Sequence, residues 1–181
     1  MKPAVFLDRD GVLVKNIDGD YIRERSQIEL LPFAEQAVNK LYKNGFEVVI
    51  VTNQACINKK LISIEEALVI QEEIKNLVDP LGVLKLKSEL CPHTNEERCE
   101  CRKPRPGMLF EAQKKYNLDL SKSYMIGDAL SDIEAAKAAN VSPILVLSGR
   151  GRSSDLAGLD GRVEIFDHVG RAVDYICGDV R

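Results

Sequence analysis

The sequence predicts an α/β protein with three layers, a parallel sheet covered by helices on both faces. Three observations predict it. Strand-like apolar runs alternate with segments of helical spacing along the 181 residues. The run Phe46–Val51 is nearly continuous and β-branched, as in a strand buried on both faces. Polar residues able to do chemistry fall just past the carboxyl ends of such runs, where open α/β sheets bind ligands.

Taken in order, Ala4–Leu7 reads as the first buried strand. Pro32–Asn44 places Phe33, Ala34, Ala37, Val38 and Leu41 at helical spacing, and Gly45 stops that helix. Phe46–Val51 is the central strand. Ser63-Ile64-Glu65-Glu66 is a capping box opening a helix to about Val78, with Ile64, Ala67, Leu68, Ile74, Leu77 and Val78 expected inward. Val83–Ser88 alternates and is read as a strand nearer the edge. Pro106–Tyr116 is a helix with proline near its start. Tyr124–Ile126 is a short strand, and Ser131-Asp132-Ile133-Glu134 is a second capping box opening a helix to Ala139. Pro143–Leu147 and Glu164–Phe166 are strands, and a last helix runs from Asp167 to about Cys177. One domain, residues 1–181, accounts for all of it.

A net charge of -3 leaves no basic footprint for nucleic acid. No apolar stretch approaches a membrane span. Met1-Lys2-Pro3 runs straight into the first strand without a signal-peptide pattern, so the expected compartment is the cytoplasm and the expected state a monomer.

The most informative stretch is Asp8-Arg9-Asp10-Gly11. Carboxylates at i and i+2 past a buried strand repel and raise each other's pKa unless a cation compensates. Such a pair suits a site where one carboxylate attacks, the other moves protons, and a hard ion such as Mg2+ screens both. A solvated turn explains this tetrapeptide equally well. What favours a site is convergence. Thr52-Asn53-Gln54 follow the second strand, Gly127-Asp128 follow a later one with Asp132 four residues on, and Arg102-Lys103 precede a helix. The carboxylates, hydroxyl and lysine are the parts that phosphoryl transfer needs. Asp132 reads either as a supporting acid or as helix N-terminal charge.

The second signal is Cys91-Pro92-His93, five residues, then Cys99-Glu100-Cys101. Three thiols and one imidazole make the ligand count of a closed structural Zn2+ site, here Cys91, His93, Cys99 and Cys101. Arg102 and Lys103 follow at once, so the metal is expected to fix where these two cations point. Cys56 is read as small apolar filler, Cys177 as core or helix end, and His168 as a surface residue. The basic loop Gly149–Ser154 could touch the far end of an anionic substrate, but is read as solvated.

These residues resemble the haloacid dehalogenase (HAD) superfamily of phosphatases. Its four motifs look like Asp8-Arg9-Asp10-Gly11-Val12, the Thr52 step, Lys103, and Gly127-Asp128 with Asp132. The resemblance implies a Rossmann-like, HAD-like sheet with no large cap domain. It implies Asp8 as nucleophile, Asp10 as acid/base, and Thr52 and Lys103 steadying the phosphoryl group. Mg2+ would be held by Asp8, the Asp10 backbone carbonyl and Asp128. Cys-Pro-His…Cys-x-Cys-Arg-Lys-Pro-x-Pro-Gly-Met narrows the likeness to the D-glycero-D-manno-heptose 1,7-bisphosphate 7-phosphatase branch, whose near relative is histidinol-phosphatase. The implied substrate is a small phosphorylated sugar, with Arg9, Asn53, Gln54 and Arg102 as expected contacts. Walls come from the zinc loop and the Asn16–Arg25 loop.

The chain departs from that branch in three places. Ser-Gly-Ile-Ala-Arg-Gly after Thr-Asn-Gln is here Ala55-Cys56-Ile57-Asn58-Lys59-Lys60, so the usual arginine has no clear match. The lysine commonly following Gly-Asp is Ala129. The loop Lys15–Tyr21 is about two residues longer than the branch leads one to expect. The competing readings are histidinol-phosphate phosphatase and a zinc-stabilised binding module without catalysis. The Arg-Lys-Pro-x-Pro-Gly stretch argues against the first, and the full set of phosphoryl-handling residues argues against the second.

Overall fold

A computed structural model describes residues 1–152, 157 and 163–179. The order is β1 (Ala4–Leu7), α1 (Ala34–Lys43), β2 (Glu47–Asn53), α2 (Ile64–Val78), β3 (Lys87–Cys91), α3 (Gly107–Tyr116), β4 (Tyr124–Gly127), α4 (Leu130–Ala138), β5 (Ser142–Val146), β6 (Glu164–Phe166) and α5 (Val169–Ile176). The strands form one sheet in the order β3-β2-β1-β4-β5-β6. Every pairing is parallel. The expected α/β layering is therefore present.

Alternation along β1 divides the core. Val5 and Leu7 join the cluster that packs α1 and α5 on one face, while Ala4 and Phe6 join the cluster holding residues of α3 and Ala136 of α4 on the other. A third cluster, Val14, Ile22, Ile70 and Ile74, ties the loop after β1 to α2. From β1 the chain runs outward through β2 to β3, then returns through α3 to place β4 on the other side of β1. Such a reversal opens a crevice at the carboxyl ends of the two central strands. Asp8 follows β1 and Asp128 follows β4, so the topology alone sets these two carboxylates side by side. Among the described residues no helix is long and apolar enough to cross a membrane.

Three expectations need correction. In α2 the buried stripe is Ala67, Ile70, Gln71, Ile74 and Val78. Ile64, Leu68 and Leu77, expected inward, are exposed, because they lie to either side of the stripe that meets the sheet and the loop after β1. The edge strand begins at Lys87, not Val83. The Asp79 side chain takes the Val83 and Leu84 amides at 3.1 and 2.8 Å, so these residues turn instead of pairing with β2. Helix α4 begins at Leu130 with Ala129 as its cap. The Ala129 amide donates to Asp132 Oδ2 at 3.1 Å, so Asp132 closes the first turn and Ser131 lies inside the helix. The Ser153 and Ser154 part of the Gly149–Ser154 loop lies outside the described residues.

Candidate active site

Beyond the carboxyl ends of β1, β2 and β4 lies a cavity of about 330 Å3. Asp8, Thr52, Lys103, Asp128 and Asp132 are buried at its floor. Lys103 Nζ sits 2.7 Å from Asp8 Oδ1 and donates to the Val51 carbonyl at 2.9 Å. Asp132 Oδ1 lies 2.6 Å from the same ammonium as an ion pair. The Lys103 backbone is clamped as well. The Asn53 amide donates to the Lys103 carbonyl at 3.0 Å, and Asn53 Oδ1 accepts from the Lys103 amide at 3.1 Å. A residue from the long loop before α3 is thereby welded to the end of β2.

The electrostatics follow from that geometry. Burial pushes the Asp8 carboxyl well above its usual range; Lys103 pulls it back, while Asp132, Asp128 and Asp10 push it further. Asp128 is raised chiefly by burial and by Asp132, against donation from the Arg150 amide and the Asn16 side chain. Lys103 resists burial because Asp132 and Asp8 flank it, and its pKa is raised.

Asp128 sits in a cradle with no room for a side chain. Asn16 Nδ2 and the Arg150 amide donate to its Oδ2 at 3.0 and 2.8 Å. A Cβ on Gly149 would lie 2.0 Å from that oxygen, and one on Gly11, where φ is +90, would lie 2.3 Å from it. Only glycine lets the two loops close this tightly.

Asp10 lies at the cavity wall, held from behind. Gln54 Nε2 donates to Asp10 Oδ2 at 2.8 Å and to Thr52 Oγ1 at 2.8 Å. The Arg9 guanidinium reaches Asp10 at 3.1 and 3.2 Å. Arg9 is only 1% exposed and, like Gln54, is not among the residues lining the cavity. The expectation of substrate contacts at Arg9 and Gln54 is therefore corrected. They fix Asp10 and Thr52. Asn53 and Arg102 do line the cavity.

The thiol cluster assembles as expected. Sulfur separations are 3.3, 3.4 and 3.7 Å among Cys91, Cys99 and Cys101. His93 Nδ1 is 3.6 Å from Cys91 and 3.3 Å from Cys101. A four-coordinate ion with thiolate bonds of about 2.3 Å needs tetrahedron edges of about 3.8 Å, so the set fits one such ion. Cys91 ends β3 opposite Asn53, and its carbonyl accepts from the Gln54 amide at 2.7 Å. Arg102 is tied to the same loop, through Asn95 Oδ1 at 2.6 Å and the His93 carbonyl at 3.1 Å.

The comparisons agree with this geometry. Residues 100–172 match the family model described as HAD-hydrolase-like. D-glycero-beta-D-manno-heptose-1,7-bisphosphate 7-phosphatase of Yersinia pestis is 38% identical over 156 residues, 82% of each chain. The chain belongs to the HAD phosphatases. A Mycobacterium bovis relative named for the alpha anomer is 38% identical over 134 residues, 74% of this chain and 70% of its own. The crystal structure of D,D-heptose 1.7-bisphosphate phosphatase from B. bronchiseptica, complexed with magnesium and phosphate, superposes with a TM-score of 0.88. It is 29% identical and covers 98% of this chain and 99% of that one.

As a HAD phosphatase this chain is a phosphoric monoester hydrolase, and its floor fits a hard divalent cation. Oxygens of Asp8, Asp128 and Asp132 converge within 4.8 Å of one another in a buried place. Three carboxylates face one ammonium, so the floor holds excess negative charge among oxygen donors. Asp132 already spends its oxygens on Lys103 and the Ala129 amide, which leaves Asp8 and Asp128 better able to hold an ion.

Sequence reasoning missed Asn16, Gly149 and Arg150 as partners of Asp128. The signal was Gly149-Arg150-Gly151 directly after a strand, a basic loop that reads as solvated or as a contact for the far end of an anionic substrate, and not as a partner of Asp128. Lys59 and Tyr21, both lining the cavity, were visible only as places where the chain departs from the heptose branch.

Proposed function

We propose that this protein removes the 7-phosphate from D-glycero-D-manno-heptose 1,7-bisphosphate through a phosphorylated Asp8. The observation that carries the reading is the Lys103 ammonium 2.7 Å from Asp8 Oδ1 at the floor of the cavity. It makes Asp8 a held, partly neutralised carboxylate where a phosphoryl group would arrive. The sugar is supported by the relatives, whose names give this bisphosphate with either anomer.

In this mechanism an Asp8 oxygen attacks phosphorus. The bond from phosphorus to the sugar oxygen breaks, and Asp10 gives that oxygen a proton. Asp10 then takes a proton from a water molecule, whose oxygen displaces Asp8 and releases inorganic phosphate. Thr52 Oγ1 and Lys103 donate to the phosphoryl oxygens. Asp8, the Asp10 backbone carbonyl and Asp128 would hold Mg2+, which would supply charge neutralisation for the phosphoryl group. Gln54 and Arg9 aim Asp10, and Asn53 aims Lys103.

Cys91, His93, Cys99 and Cys101 would hold Zn2+ as a structural ion, since four protein ligands leave no open position for chemistry. A cytoplasmic, monomeric, single-domain enzyme belongs to the same reading, with support from a thiol set that needs a reducing compartment.

The test is phosphate release with Mg2+ from both heptose bisphosphate anomers, heptose 7-phosphate and histidinol phosphate. Turnover is expected on a bisphosphate anomer above the other substrates. Preference for histidinol phosphate, or no release from either anomer, sinks the assignment.

A further inference from the structure

Cys56 is fully buried in the turn that follows β2. The turn is closed by backbone bonds. The Ile57 amide donates to the Gln54 carbonyl at 3.2 Å, and the Leu61 amide to the Cys56 carbonyl at 2.9 Å. The pattern from which this chain departs has glycine at the position of Cys56, and glycine has no side chain to offer.

The thiol does more than fill space. Cys56 Sγ donates to Gln54 Oε1 at 3.6 Å, within reach of a sulfur donor. Burial pushes the Cys56 thiol up while Arg9 pulls it down, and the net rise keeps the proton on sulfur. The other end of the same amide, Nε2, donates to Asp10 Oδ2 and to Thr52 Oγ1. Gln54 is buried, so neither end can turn to water instead.

The orientation of this amide bears on which Asp10 oxygen carries a proton. Oδ2 accepts from Gln54 Nε2 at 2.8 Å and from Arg9 Nε at 3.1 Å, and Arg9 Nη2 lies 3.0 Å away. Oδ1 accepts from Arg9 Nη2 at 3.2 Å. The oxygen that already receives more donors is the poorer place for a proton, which leaves Oδ1 to carry it. Turned over, the amide would present Oε1 to Oδ2. An ionised Asp10 repels that oxygen, but a protonated Asp10 would donate into it, and the proton would be withheld from the leaving group. Thr52 does not oppose the turn, since a hydroxyl donates as readily as it accepts. The thiol opposes it by giving the buried Oε1 a donor on the far side.

We infer that Cys56 is a positioning residue for the proton transfer, acting through Gln54 to leave the proton on Asp10 Oδ1 and available to the leaving sugar oxygen. In that step the Oδ1–H bond breaks as the sugar oxygen takes the proton and its bond to phosphorus breaks. The inference rests on Asp10 being the acid of the mechanism above.

The experiment measures kcat/KM with Mg2+ on two substrates. One is the sugar phosphate that the parent protein turns over fastest. The other is 4-nitrophenyl phosphate, whose leaving oxygen needs no proton. Cys56→Ala is expected to lose about five-fold or more on the sugar phosphate and less than about two-fold on the aryl phosphate. Cys56→Ser keeps a donor in place and should stay within about two-fold of the parent on both. In a Gln54→Ala background, Cys56→Ala should cost less than a further factor of about two. A merely structural thiol would lower both substrates alike and add its full effect to Gln54→Ala. Either result, an unchanged Cys56→Ala protein, or a serine variant as poor as the alanine one overturns the inference. Failure of the underlying reading has its own pattern. Asp10→Asn would then lose no more on the sugar phosphate than on the aryl phosphate, and the inference falls with it.

Discussion

At the floor of the cavity each carboxylate has a partner within 3.0 Å, Lys103 for Asp8 and Asp132 and the Arg150 amide for Asp128, as Gln54 does for Asp10 on the wall. At the rim, the hydrogen bonds of Lys59, Arg102 and Arg150 go to neutral acceptors, while the Glu96 carboxyl feels the charge of Lys59 and Arg102. Adjacent residues divide between the two regions. Lys103 is 3% exposed and serves the floor, while Arg102 is partly exposed and serves the rim. The floor is set by strand ends and tight backbone contacts, which fix atoms to a fraction of an ångström. The rim is set by long side chains on loops, which tolerate change. Reaction type is therefore written into the sheet, and substrate choice into the loops.

The strongest way to break the floor is Asp8→Asn. The amide keeps the shape but is a far poorer nucleophile, and it removes the negative charge facing Lys103. Phosphate release should fall by about 10^4-fold or more. Activity within ten-fold of the parent enzyme would show that Asp8 is not the attacking group.

A smaller break is Gly149→Ala. The added Cβ would lie 2.0 Å from Asp128 Oδ2 and 2.6 Å from its Cγ, so the loop or the carboxylate must shift. Displacing the carboxylate proposed to hold Mg2+ should weaken Mg2+ by about 10- to 100-fold, measured as the Mg2+ concentration giving half-maximal rate. An unchanged Mg2+ requirement would mean that the loop yields and that the cradle does not position Asp128.

The floor was largely legible in the sequence, for a local reason. Asp8, Thr52 and Asp128 each end an apolar run, and a parallel sheet gathers such ends at one edge whatever the details of packing. The Cys91 to Cys101 cluster was legible because its four ligands lie within eleven residues. What escaped depends on partners distant in the chain. Asn53 lines the cavity, but that its amide also clamps a lysine fifty residues away was not legible. Arg9 looked like a substrate contact and is buried behind Asp10, because nothing in a tetrapeptide says which side chain turns outward. In α2, Ile64 and Leu68 carry the right hydrophobicity but lie off the stripe that the neighbouring elements cover. Arg150 was missed because a backbone amide, not the basic side chain, makes its contact with Asp128.

The smallest expected effect sharpens the comparison most, since it concerns the metal loop that touches both regions. Cys99→Ser removes one of the four groups proposed to hold Zn2+, while Cys91 stays paired in β3 opposite Asn53. Two outcomes are distinguishable. If the loop orders only the rim, Arg102 loses its hold on Asn95 and the His93 carbonyl, and KM for the bisphosphate rises by about three- to ten-fold, as for an exposed charged contact. The kcat then stays within about two-fold, because Lys103 keeps both bonds to Asn53 as well as Val51, Asp8 and Asp132. If the loop instead supports the floor, kcat falls as far as KM rises. The first outcome is expected. Lys103 is anchored by β2 and by two buried carboxylates, all of which lie outside residues 91–101, whereas two of the hydrogen bonds on Arg102 lead into that loop. Metal content and Tm should both fall in the variant, since a closed tetrahedral site stabilises the segment it binds. A KM increase without loss of metal would show that the serine acts directly at the rim and that the metal is not its anchor.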